Sequence, residues 1–307
     1  MEAASHVLVL FFLMTTGFLC AKLKITGPET TGNFTAFIIK LALPALLFSS
    51  FLRPFSAELL QEAAVVFGLS IAVYALSFFI AFIYPRFMMI KGPERGVHRY
   101  ALIISNCGFI GYPMVEAILG PSYIFHAVIF NIPFSLLAFS ICAWLIAREG
   151  ERPLKLNWKI FLNRNVIATA LGLIFFIFSI SLPYPLHRAV RMLADITSPM
   201  SMIVIGMTLA QAKIWQVFGR WKVYVTVGFR LFLLPALAGI IFYFLGVRGP
   251  LYLLAVLITA MPAGSSTSIL ANLYSTAQEE AGSLVFLSTM LCMFTIPLVL
   301  FIAGIAA

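Results

Sequence analysis

The chain has 307 residues, 62% of them hydrophobic and 10% charged, with a mean hydropathy of +1.04. Soluble domains carry about 25% charged residues, so this composition excludes them and reads as a polytopic membrane protein. In a membrane protein the net charge of +9 points to basic cytoplasmic loops, not to nucleic acid.

Apolar runs separated by polar or Gly/Pro breaks predict ten spans, at about 6–21, 33–52, 60–84, 97–119, 122–147, 164–181, 187–211, 222–246, 250–273 and 280–304. Glu2 precedes the first run with no Lys or Arg, a poor signal-peptide start, so that run reads as a helix. Cys20, Cys107, Cys142 and Cys292 all fall inside spans without ligand spacing, so neither a disulfide nor a metal site is expected. No cofactor is implied.

The fourth span holds Ser105-Asn106-Cys107-Gly108-Phe109-Ile110-Gly111-Tyr112-Pro113. Pro113 lacks an N–H and its ring clashes with the carbonyl four residues back, and Gly108 and Gly111 free the backbone. This reads as a helix broken in the bilayer, where freed backbone groups survive only if buried in protein or lining a wet cavity. Secondary transporters place substrate at such breaks; a Pro-kinked structural helix is the plainer alternative.

Basic residues set the orientation. Fourteen of the twenty Lys and Arg fall in the connections after spans one, three, five and seven, from Lys22 through Arg148 to Lys222, and Arg53, Arg188, Arg191 and Arg248 fall opposite. The first set is predicted cytoplasmic and both termini extracytoplasmic, in the cell membrane. The hydrophilic connection 148–163 divides the chain into halves, 1–147 and 164–307. Five spans per half means opposite orientations. The order of devices repeats: Lys40 precedes Pro44 by four residues in span two, and Asp195 precedes Pro199 by four in span seven. Pro113 breaks span four, and Pro262 breaks span nine. This predicts an inverted repeat, with Pro44 and Pro199 as bends.

Asn106-Cys-Gly-Phe-Ile-Gly-Tyr-Pro113, Leu43-Pro44-Ala45-Leu46-Leu47-Phe48, Pro199–Leu209, and Met261-Pro262 through Asn272-Leu273-Tyr274 to Ile296-Pro297 together resemble the auxin efflux carrier family over nearly the whole chain. That family includes plant PIN-formed auxin exporters and bacterial permeases for small carboxylates. The resemblance implies an all-α integral membrane fold of ten transmembrane helices in two inverted five-helix repeats with crossed, broken helices 4 and 9. Bile acid–sodium symporters share this architecture. The chain lacks the long central loop of many plant members.

The expected function is secondary active transport of a small organic anion, a carboxylate of auxin-like or dicarboxylate type, by alternating access. The binding site is expected at the crossing of spans four and nine. Asn106 can offer donors and an acceptor to a ligand, or bond the carbonyls of its own break. Gly108, Pro113 and Pro262 shape the breaks. Ser265, Ser266 and Thr267 bind substrate or back-bond to the helix, and Asn272 follows one turn on. Arg230 is a candidate anion contact. Lys40, Glu116 and Asp195 are candidate coupling or gating groups, since intramembrane charges are functional by default. The coupling ion, H+ or Na+, stays open, as do a symporter of another solute and an anion channel. No hydrolase motif occurs and Asp195 has no aspartate partner, so an enzyme is not expected. The histidines form no ligand cluster. The lipid bilayer is the expected surrounding, nucleic acid is not a partner, and monomer and homodimer both stay open.

Overall fold

In hydrocarbon every backbone polar group must be satisfied within the chain, so apolar runs of this length fold as helices. The computed structural model describes residues 2–150, 163–211 and 219–306. Most of the predicted connection 148–163 and the segment holding Lys213 lie outside the described residues. The helices are α1 (Glu2–Lys22), α2 (Pro28–Phe37), α3 (Leu43–Ser50), α4 (Ala57–Phe87), α5 (Pro93–Ile103), α6 (Tyr112–Leu119), α7 (Ile124–Phe130), α8 (Ile132–Ala138) and α9 (Ile141–Ala147). They continue with α10 (Arg164–Ile177), α11 (Tyr184–Asp195), α12 (Thr197–Gln211), α13 (Trp221–Gly228), α14 (Leu234–Phe244), α15 (Gly249–Thr259), α16 (Ser266–Leu273) and α17 (Gln278–Ala306). Among the described residues, five helical runs are long and apolar enough to cross a membrane: Pro28–Ser50, Ala57–Phe87, Tyr184–Gln211, Trp221–Phe244 and Gln278–Gly304. Val7–Lys22, Cys107–Leu119, Arg164–Ile177 and Gly249–Thr259 are shorter apolar helices.

Prolines within the helical runs show how the backbone absorbs them. Three π-turns occur among the described residues, at Ile38–Ala42, Cys107–Gly111 and Phe229–Leu233. Each ends two residues ahead of a proline: Pro44, Pro113 and Pro235. A π-turn widens the helix where the proline ring would strike the carbonyl four residues back. Leu43-Pro44-Ala45-Leu46 and Leu234-Pro235-Ala236-Leu237 carry the same device with the same residues. Pro44 is therefore carried within a continuous helical run from Pro28 to Ser50, and Pro199 sits in the first turn of α12, just after the junction at Ile196.

The described residues form two compact units, and each draws on both halves of the sequence. One comprises Met1–Val65, Gly108–Ile129 and Phe161–Gln211; the other comprises Val66–Cys107, Phe130–Ile160 and Ala212–Ala307. The compact bodies are thus not the sequence halves. In the first unit α1 packs along α12 with glycine on both sides of the contact. A Cβ on Gly17 would lie 2.0 Å from the Ile203 carbonyl oxygen, and one on Gly206 would lie 1.9 Å from that of Met14. Small residues permit such backbone approach where lipid supplies no hydrophobic drive. An aromatic cluster of Phe51, Phe125 and Phe176 fills the same unit, with ring centroids 5.2 Å apart for Phe51–Phe125 and for Phe125–Phe176. Gly206→Val must push backbone apart, a cost of about 1–3 kcal/mol or more. It is expected to lower the apparent melting temperature in detergent by roughly 5 °C or more; an unchanged melting curve would exclude this helix contact.

In the second unit α5 lies against α9 through Gly96, whose added Cβ would fall 2.2 Å from the Leu145 carbonyl oxygen. Around that contact Tyr100, Leu102, Ile103, Ile104, Cys142 and Ile146 build a buried core.

Candidate functional site

α5 stops at Ile103, and Ile104 is extended (φ −100, ψ 117). α15 stops at Thr259, and helix resumes only at Ser266. Between these ends Ser105 and Ala263 form an antiparallel bridge. The Asn106 N–H donates to the Pro262 carbonyl at 2.8 Å, and the Gly264 N–H donates to the Ile104 carbonyl at 3.0 Å. Backbone groups released where the helices stop thus satisfy one another, as a low-dielectric interior demands. The fit at Gly264 is tight: a Cβ there would meet Ser266 Oγ at 3.1 Å, the Ile104 side chain at 3.2 Å and the Ser105 oxygen at 3.3 Å.

The pair is stitched from three directions. Arg230, 3% exposed, donates from Nε to the Met261 carbonyl (3.1 Å) and from Nη1 to the Leu102 carbonyl (2.9 Å). The Ala263 N–H donates to Ser288 Oγ of α17 at 3.1 Å. Tyr100 of α5 donates its hydroxyl to Ser266 Oγ at 2.9 Å. A guanidinium suits this place because it is a rigid fork of five donors, and two are accounted for by carbonyls of the two chain segments.

Asn106, Pro262 and Thr267 are buried around the pair, and Ser265 and Ser266 are half-buried. Ser265 caps α16 without a side-chain bond to its N–H groups, and Thr267 Oγ1, fully buried, has no partner among the described residues. Two helical runs begin beside the bridge, at Cys107 and at Ser266. Asn272 lies at the far end of α16 and is exposed, away from the turn. Gly108, within its π-turn, belongs to the first unit and would place a Cβ 3.7 Å from Leu43.

The remaining candidates also lie in the first unit. Pro113 and Glu116 line a cavity of about 300 Å³ with Val9, Leu10, Ala117 and Ser198, and the Ser198 hydroxyl donates to Glu116 Oε2. Asp195 and Pro199 line a separate, apolar hollow with Phe34. Lys40 is exposed on its π-turn.

Sequence reading missed Asn131. It interrupts the helix between α7 and α8 with φ −89 and ψ 0, is 5% exposed and neighbours the Cys107 thiol. Buried amides are nearly always bonded, and here the Cys107 thiol is the partner the side chain reaches. The only local signal was an Asn beside Pro133 inside an apolar run.

A family model described as a membrane transport protein matches residues 3–157 and 152–300. The chain belongs to this family, that of the auxin efflux carriers. Among relatives of this chain, one from Rhizobium meliloti, named "Putative malonate transporter", is 25% identical over 96% of this chain and 94% of its own. A second, an "Uncharacterized transporter" of Methanothermobacter thermautotrophicus, is 25% identical over 97% of each chain. A third, from Methanocaldococcus jannaschii, also named as an uncharacterized transporter, is 21% identical over 95% of this chain and 96% of its own. The protein is a multi-pass membrane protein with a transport role rather than an enzymatic one.

Proposed function

We propose that the protein is a secondary active transporter that carries a small organic anion of the carboxylate class by alternating access. The observation that carries this reading is the antiparallel pair at Ser105 and Ala263, flanked by helix starts at Cys107 and Ser266. A helix start carries N–H groups without an intrahelical partner and about half a positive charge from the helix dipole; at the second start the Thr267 N–H is bonded to the Gly264 carbonyl. Two such ends near one point favour an anion. Asn106 and the unpartnered Thr267 hydroxyl supply directional bonds, and Arg230 adds a full charge and further donors. The malonate named for one relative supports a short mono- or dicarboxylate.

On this reading the chain makes ten crossings in two inverted repeats. The fourth crossing (α5 and α6) and the ninth (α15 and α16) are broken and cross at the paired turn. The bodies that move are the two compact units, not the sequence halves. Uptake into proteoliposomes across a panel of carboxylates, amines and neutral solutes tests the assignment. Saturable uptake of an organic acid and counterflow of the labelled acid are expected. Transport of cations or neutral solutes alone overturns it, and a large unitary conductance makes the protein a channel.

The excess of basic residues on one set of connections supports a topology with both termini outside the cell membrane. Cysteines introduced near each terminus should react with an impermeant reagent on intact cells. Labelling only after permeabilisation reverses the topology.

A further inference from the structure

His98 is fully buried on α5, yet both ring nitrogens are engaged. Nε2 lies 3.0 Å from Glu280 Oε1 of α17, and Nδ1 lies 2.6 Å from Thr226 Oγ1 of α13. Glu280, 4% exposed, is held on its other oxygen by Arg220 Nη1 at 2.5 Å, and Arg220 also reaches Glu279. Tyr84 of α4 completes the cluster, its hydroxyl 2.6 Å from Thr226 Oγ1. All these residues lie in the second unit. We propose that His98, paired with Glu280, is the proton-binding site that couples carboxylate transport to a pH gradient. This rests on the carrier reading above.

The Thr226 hydroxyl is what makes the site two-state. It has two acceptors in reach, His98 Nδ1 at 2.6 Å and the Lys222 carbonyl at 2.8 Å. With His98 neutral, Nε2–H donates to Glu280, Thr226 donates to Nδ1, and Tyr84 donates to Thr226. When a proton binds Nδ1, that N–H donates to Thr226 Oγ1, and the threonine hydrogen turns to the Lys222 carbonyl. Every polar group is bonded in both states, so neither carries the penalty of an orphaned buried group. The charges also balance on protonation: His98 and Arg220 then face Glu279 and Glu280, two against two.

The groups packed around His98 leave it this role. From α9's side, Glu149 accepts from Arg95 instead (2.6 Å), and Arg99 lies over the Phe82 ring. α16 carries no titratable side chain, and Arg230 is committed to carbonyls. A cleft of about 520 Å³ brings water to the carboxylate end, lined by Lys91, Glu94, Arg220, Lys222, Glu279 and Glu280 among others.

The same three elements that hold the proton site hold the paired turn. α5 carries His98 and, one turn on, the Leu102 carbonyl that accepts from Arg230. Arg230 follows Thr226 by one turn on the helix that α13 begins. α17 carries Glu280 and, two turns on, Ser288. A turn is about 5.4 Å, so the two sites lie about one to two turns apart along each helix. A change in the bonds joining these helices at His98 reaches Ala263 and Leu102 through rigid helix.

The test compares wild type, His98→Gln and Thr226→Val in proteoliposomes, using labelled malonate in two modes: counterflow at equal pH and uptake driven by an imposed pH gradient. For wild type, the gradient is expected to raise accumulation about tenfold. His98→Gln, which keeps a donor towards Glu280, should retain counterflow within about threefold and lose the gradient effect. Thr226→Val removes the acceptor for the Nδ1 proton, and bonds to charged groups are the stronger ones. It should therefore move the pH profile of driven uptake to lower pH, by up to about one unit. Wild-type counterflow without any gradient effect overturns the proposal and leaves the carrier reading standing. So does a gradient effect that survives His98→Gln. Should His98→Gln fail to fold, an unmoved Thr226→Val profile overturns the proposal alone. Absence of counterflow for malonate and every other organic acid overturns the carrier reading and this one with it.

Discussion

Replacing Arg230 with methionine is expected to abolish transport and to lower the apparent melting temperature markedly. Two carbonyls, of Leu102 and Met261, accept from this side chain, and both residues are buried. Methionine has nearly the length of the side chain and none of its donors, so both acceptors lose their bond to a charged donor. An orphaned buried acceptor costs about 1–3 kcal/mol. Release of the desolvated charge returns part of this, since buried ions are themselves expensive. A net loss on the order of 3 kcal/mol is expected. Arg230→Lys keeps the charge but offers a point donor in place of a fork; it should recover only part of the stability. The measurement is thermal unfolding of purified protein in detergent, paired with uptake. Methionine melting within a degree of wild type would show that the guanidinium does not hold the turn.

Asn106→Ala is expected to separate folding from function. The Asn106 bond that belongs to the paired turn uses its backbone N–H, which donates to the Pro262 carbonyl, and alanine keeps it. The paired turn itself should therefore still form. A hydrogen bond to a charged ligand contributes about 1.5–3 kcal/mol, so uptake at low substrate concentration should fall tenfold to a hundredfold. Asn272→Ala is the matched control: the same side chain lies six residues beyond Ser266, exposed at the end of α16, and should change uptake less than twofold. Equal losses for the two variants, or normal transport by Asn106→Ala, would move the binding site elsewhere.

The family and the all-helical, apolar character were legible in the residues. Helix boundaries follow from where apolar runs stop, because the bilayer permits no other backbone for a run of that length. That α-helix stops ahead of Asn106 and Pro262 was readable because Gly and Pro act locally, on their own dihedrals and donors. Pro44 and Pro199 were read as bends on the same grounds. The π-turn ahead of Pro44 and the first-turn placement of Pro199 show local accommodation of each ring.

What the sequence alone determined is what depends on neighbours a few residues away: composition against solvent, helix length, and where a helix must stop. What only the tertiary structure decided is which distant groups meet. Arg230 meets carbonyls 128 residues earlier and 31 residues later, and no spacing rule encodes such a meeting. His98 looked like a residue at the start of a span; it is buried only because α4, α13 and α17 close over it and supply Tyr84, Thr226 and Glu280. The compact units, too, gather segments from both halves. Burial and hydrogen-bond partnership are properties of packed surfaces, and a surface exists only once the helices have come together.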